Sequence, residues 1–248
     1  MPDLQTPALL FLAGCVSWTI STFSGGSGSL ILLAVATHLI RLTQVAPVIT
    51  VASLMASPAR IALSWRLVEW RVVRWYLPGA VAGAMLGSWL LSWAPIDWLT
   101  LIVGVFLVSN AMRYRLGERV RSFPMPLPCF IPVSVAVGLV SGLVGASSLI
   151  SLPFYLNYGL TNERLLATAS IHSLFIQITK IATYASVGVL SSRSLLEGVA
   201  AGSGAVIAIY ITRPWLDRLK EVWFCRLAVV LMLASGISML WHSRHLAL

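Results

Sequence analysis

The sequence predicts an all-α polytopic membrane protein built as an inverted repeat, each half a broken re-entrant helical hairpin plus three transmembrane helices. Three observations carry that prediction. The 248 residues are 58% hydrophobic and only 10% charged, whereas a soluble domain carries about 25% charged residues. Two apolar segments, residues 8–40 and 129–159, are too long for one crossing and are interrupted by small residues. The basic residues are divided unevenly among the loops, which favours one topology over another.

Composition sets the class. With a mean hydropathy of +0.88 the chain has too little polar surface to coat a water-soluble globule. It reads as a single membrane domain, residues 1–248, in the cell inner (plasma) membrane. No basic stretch precedes the first apolar run, so a cleaved signal peptide is not expected. Cys15, Cys129 and Cys225 lie in separate apolar segments, a spacing that fits neither a disulfide framework nor a metal site; no cofactor is expected. The net charge of +9 is not read as a nucleic-acid footprint. The basic residues sit in short loops, with Trp65, Trp70, Trp75, Trp93, Trp98, Trp215 and Trp223 among or near them. That pairing fixes the depth and orientation of a helical membrane protein.

The elements follow from the apolar runs. Stretches of about 20 apolar residues span the hydrocarbon, and single spans are expected near 45–64, 75–94, 97–113, 195–212 and 222–241, with a longer run from Leu165 to Leu190 that contains Lys180. The first long segment holds "FSGGSGSLIL" (23–32) and the second "SGLVGASSLISLP" (141–153). An unbroken helix over residues 8–40 would be about 50 Å long against a core of about 30 Å, so each break divides a crossing or turns the chain back. With Lys180 set aside, dividing the crossings places 10 basic residues inside and 6 outside, whereas two hairpins place 13 inside and leave only Arg41, Arg193 and Arg244 outside. The hairpin reading is therefore preferred. It gives each half three full crossings, an odd number, so residues 1–122 and 123–248 run with opposite topology, as in many secondary transporters. Short echoes agree: "LTQ" at Leu42 and "LTN" at Leu160, Thr50 and Thr168, and "RIA" at Arg60 and "KIA" at Lys180, 118 to 120 residues apart. A basic linker, residues 113–128, would join the halves.

Breaks at membrane depth point to a site. Unpaired backbone groups there are tolerated only against protein or a watery cavity. The helix restarting after each break, near Ser29 and near Leu149, offers free N–H groups and a positive dipole end, which suits a small anion. The candidate substrate-binding residues are Ser24, Gly25, Gly26, Ser27, Gly28 and Ser29 at the first break and Gly145, Ala146, Ser147 and Ser148 at the second. Thr50, Thr168, His172 and Lys180 complete the set from neighbouring spans, with Ser53 and Ser170 as further hydroxyls. Each has a blander reading. Gly and Ser clusters also let helices pack closely, Ser and Thr bond back to their own helix, and a lysine stem snorkels toward the interface. Arg60 lies nearer a basic loop and snorkels more easily still. His172 and His38 are single histidines in apolar surroundings, where a structural hydrogen bond is the ordinary role. Carboxylates are confined to positions in or near loops, which argues against a carboxylate proton relay.

The residues "SGGSGSLILLAVATHLIRLTQVAPVIT" (24–50) and "SGLVGASSLISLPFYLNYGLTNERLLATAS" (141–170) resemble the two repeats of the sulfite exporter TauE/SafE family of membrane permeases, in the family's order and over most of the chain. The family's glycine run followed by proline is met in part: Ala34 stands where a proline is usual, and "GASS" precedes Pro153. The resemblance implies export of a small sulfur-containing or organic anion such as sulfite, a sulfonate or sulfoacetate, with the lipid bilayer and that anion as partners. Nucleic acid is not an expected partner. It does not decide between a monomer and a homodimer, or between potential-driven and ion-coupled export. Two other readings are open. "GASS" resembles the Gly-x-Ser-Gly motif of rhomboid intramembrane proteases, with Ser147 as nucleophile and His172 as base, although the second glycine is missing. A noncatalytic membrane scaffold is the other.

Overall fold

The computed structural model describes residues 5–23, 28–91, 125–145, 148–160 and 162–216, with single positions 108, 230, 233, 234 and 237. Every regular element among them is helical: α1 (Gln5–Phe23), α2 (Gly28–Leu39), α3 (Leu42–Ser64), α4 (Trp70–Leu90), α5 (Phe130–Val144), α6 (Ser148–Tyr158), α7 (Asn162–Ser186) and α8 (Ser192–Leu216). Four segments are long and apolar enough to cross a membrane: Gln5–Phe23, Gln44–Leu67, Glu163–Ser186 and Ser192–Trp215. The expected spans 97–113 and 222–241 and most of the linker lie outside the described residues.

The helices start earlier than apolarity alone suggests. Helix α4 begins at Trp70 and carries Arg71 and Arg74 in its first turns, because a membrane helix extends past the hydrocarbon until its charged residues reach the headgroups. Trp65, Trp70, Trp75 and Trp215 are all exposed on the protein surface, as interfacial anchors should be. Helix α3 runs through Pro47 and Pro58. Each proline removes one backbone hydrogen bond, a loss membrane helices tolerate when neighbouring groups take up the freed carbonyl.

The long segments are divided where the small residues lie. Helix α1 ends at Phe23 and α2 begins at Gly28; residues 24–27 between them lie outside the described residues. Helix α5 ends at Val144, and Gly145 follows with φ of 87°. That left-handed conformation closes a helix and favours glycine. A Cβ at Gly145 would also press on Ala46 of α3, so glycine is required there twice over. Helix α6 restarts at Ser148.

Packing is built on small residues. The most extensive contacts join α1 to α8 and α4 to α5. Helix α4 presents Gly79, Gly83 and Gly87 at four-residue spacing to α5, and a Cβ at Gly83 would overlap the carbonyl of Val135. Close backbone approach of this kind drives association where lipid removes the hydrophobic incentive. Helices α3 and α7 pack on each other and also on α8 and α4 respectively. They form the centre, and the two broken segments flank them.

Candidate functional site

Helices α3 and α7 each carry a polar stripe at helical spacing. On α3 it is Ser53, Ser57 and Arg60; on α7 it is Ser170, Ser173 and Gln177. Residues three and four apart share a face, so each stripe points one way. The two meet: Ser57 Oγ and Ser173 Oγ lie 3.1 Å apart, and since the Ser57 hydrogen goes to the Ser53 carbonyl, Ser173 is the donor between them. Around that contact the structure leaves a cavity of about 70 Å³, room for a molecule of a few heavy atoms. Helix α1 contributes Trp18 and Ser21, α2 contributes Ser29, α4 contributes Tyr76, and α6 contributes Ser151 and Tyr155. The first turns of α2 and α6, the two helices that restart after the breaks, thus border one space.

Arg60 supplies the charge. Its Nη2 donates to Ser21 Oγ at 2.8 Å, and no carboxylate pairs with it among the described residues. It also borders a smaller cavity of about 20 Å³ with Thr22, Ser64 and Arg213. Arg213 is itself paired with Glu163. His172 is buried and lines the larger cavity, stacked on Tyr76 with ring centroids 4.1 Å apart and bonded through Nδ1 to Tyr155 Oη at 2.6 Å. When that hydroxyl donates, the neutral ring carries its proton on Nε2. Among the described residues His172 Nε2, Ser53 Oγ and Gln177 Oε1 have no hydrogen-bond partner although they are buried. Buried polar atoms are normally satisfied, so these three mark the cavity as a place for a polar guest.

Lys180 is placed differently. It is fully buried, and its Nζ donates to the Gly145 carbonyl at 3.0 Å, with Ser141 Oγ at 3.5 Å. It is not among the residues lining the cavity. With Tyr184 Oη, which donates to the Gly142 carbonyl at 2.6 Å, it satisfies the exposed carbonyls at the end of α5. A cation there also complements the negative end of the helix dipole.

The remaining sequence candidates divide. Ser29, Ser53, Ser170 and His172 border the cavity. Thr50 Oγ1 donates to the Ala46 carbonyl at 2.7 Å and Thr168 Oγ1 to the Arg164 carbonyl at 2.8 Å, so both are satisfied by their own helices. Gly28 and Ser148 open α2 and α6, and Gly145 caps α5. Ser24, Gly25, Gly26, Ser27, Ala146 and Ser147 lie outside the described residues. Ser21, Ser57, Tyr76, Ser151, Tyr155, Ser173 and Gln177 border the cavity without having been singled out. The 53–57–60 and 170–173–177 polar stripes were the signal that identifies those on α3 and α7.

No curated protein and no solved structure shows a significant match to the chain. The family model for the sulfite exporter TauE/SafE matches residues 10–239. That match spans both broken segments and the central pair α3 and α7, so the chain belongs to the sulfite exporter TauE/SafE family, a family of membrane transporters.

Proposed function

We propose that the protein exports a small oxyanion or organosulfur anion of the sulfite or sulfonate kind across the cell inner membrane, holding it in the cavity beside Arg60. The observation that carries this reading is the meeting of a guanidinium that has no carboxylate partner among the described residues with the first turns of α2 and α6 in a hydroxyl-lined space. A helix start provides N–H donors and positive potential, and a guanidinium matches an oxyanion edge with paired donors. An inside-negative membrane potential favours outward movement of an anion by about 2.3 kcal/mol per charge per 100 mV.

The inverted-repeat reading is supported by equivalent contacts 120 residues apart: Arg60 reaches Ser21, and Lys180 reaches Ser141. It is supported as well by packing that maps onto itself when the halves are exchanged, α1 on α8 and α5 on α4. Under that reading the two breaks are hairpin tips entering from opposite sides, and alternating access rocks one half against the other around the fixed site. The two cavities bordered by Arg60 are then successive stations of one path. Ser147, the nucleophile that the serine-hydrolase reading needs, lies outside the described residues.

The test is reconstitution of the purified chain in liposomes loaded with sulfite. Saturable efflux under an inside-negative potential, lost in Arg60→Met, is the expected result. Absence of saturable flux from correctly folded protein rejects the transport reading in favour of a scaffold.

A further inference from the structure

The cavity constrains its guest beyond the sign of its charge. Most polar atoms around Arg60 are already engaged. Ser21 Oγ accepts from Arg60, Ser57 Oγ donates to the Ser53 carbonyl at 2.8 Å, and Ser170 Oγ donates to the Leu166 carbonyl at 2.6 Å. Gln177 Oε1 is different. It lines the cavity, its residue is 5% exposed, and it has no partner among the described residues. A carboxamide oxygen only accepts. A fully deprotonated oxyanion would set oxygen against oxygen there and leave the acceptor unmet.

The charge balance points the same way. Among the described residues that line the larger cavity, Arg60 is the one cation and none is acidic. A second negative charge on the guest would find no second cation among the described lining residues, only the neutral groups Ser53 Oγ and His172 Nε2 and the partial positive ends of α2 and α6, which do not offset the desolvation of a full charge. We propose that the cavity selects singly charged oxyanions that retain one hydroxyl hydrogen, with Arg60 on the charged edge and Gln177 Oε1 accepting the hydroxyl. The donor requirement rests on the anion-site reading above and narrows it: the hydrogen form of an oxyacid is preferred to a sulfonate, which carries no hydroxyl hydrogen, and to a bare dianion.

Hydrogen selenite and bromate separate these terms. At neutral pH both are pyramidal, singly charged oxyanions of neighbouring elements, and they differ by one hydroxyl hydrogen; selenate supplies a dianion with no donor. Calorimetric titration of the full chain in detergent should give hydrogen selenite about tenfold tighter than bromate, with selenate weakest. Gln177→Met should abolish the tenfold ratio, weakening hydrogen selenite and, by removing the facing oxygen, tightening bromate, opposite changes that a general loss of packing does not produce. Equal binding of the two ions by the unaltered chain overturns the proposal whether or not the variant folds, as does a variant that keeps the tenfold ratio. Equal binding that is nevertheless lost in Arg60→Met leaves the anion site standing and removes only the donor requirement. Silence from all three ions rejects the anion site itself.

Discussion

Arg60 and Lys180 occupy corresponding positions on α3 and α7, 120 residues apart, and have different surroundings. Each reaches a serine in the helix ahead of its own half's break, Ser21 for Arg60 and Ser141 for Lys180. From there they part. Lys180 continues to the Gly145 carbonyl and is fully buried, so its ammonium is spent on the end of α5. Arg60 keeps donors toward the cavity and is half-buried. Side-chain chemistry explains the division. An ammonium is a compact group that satisfies converging carbonyls, whereas a guanidinium presents several donors in a plane and holds a serine while still facing a guest. Under the proposed inverted repeat, one position serves as the proposed binding group in one half and as a helix cap in the other.

The comparison breaks first at Arg60. Arg60→Met should weaken oxyanion binding by about a hundredfold, the loss expected when one partner of a buried charged pair is truncated, while leaving the thermal midpoint of the unliganded protein unchanged; titration and thermal unfolding in detergent check both. An unaltered affinity removes Arg60 from the site. Lys180→Met should do the reverse. It should cost about 1–3 kcal/mol of stability by abandoning the Gly145 carbonyl, with the affinity of the folded fraction preserved. A Lys180→Met protein of normal stability that binds no anion would exchange the two roles.

Exchanging the side chains sharpens the argument. Arg60→Lys keeps the charge and loses the fork, so affinity should fall by about tenfold. Lys180→Arg adds volume at a fully buried position and should cost about 1–3 kcal/mol through overpacking. The smallest effects belong to the shared serines. Ser21→Ala should cost about 0.5–1.5 kcal/mol of binding by freeing Arg60, and Ser141→Ala, which removes a contact of 3.5 Å, should cost less than Ser21→Ala in stability. An unchanged anion affinity in Ser21→Ala would mean that Ser21 does not position Arg60.

The breaks were the most legible feature. Residues 23–29 and 144–148 cannot continue a helix of membrane length, because Gly and Ser clusters and the length of the apolar run argue together, and the helices restart at Gly28 and Ser148, close to the expected Ser29 and Leu149. The placement of Arg60 was the least legible, and the sequence left both lining the site and snorkelling open. Its sequence neighbourhood resembles that of an interfacial arginine. Its position at the head of the 53–57–60 stripe carried the opposite message.

By itself the sequence determined the solvent, the helical class and the family. Those follow from local sums: apolar content, run length, the placement of glycine, and the two repeated segments. Only the tertiary structure decided which cation faces the cavity and which polar atoms there are left unpaired. The environment of Arg60 is made by Ser21 of α1, that of Lys180 by Gly145 at the end of α5, and that of Gln177 by what fails to approach it. The physical reason is that burial and hydrogen-bond satisfaction are properties of neighbours brought together from distant parts of the chain, and no local window contains them.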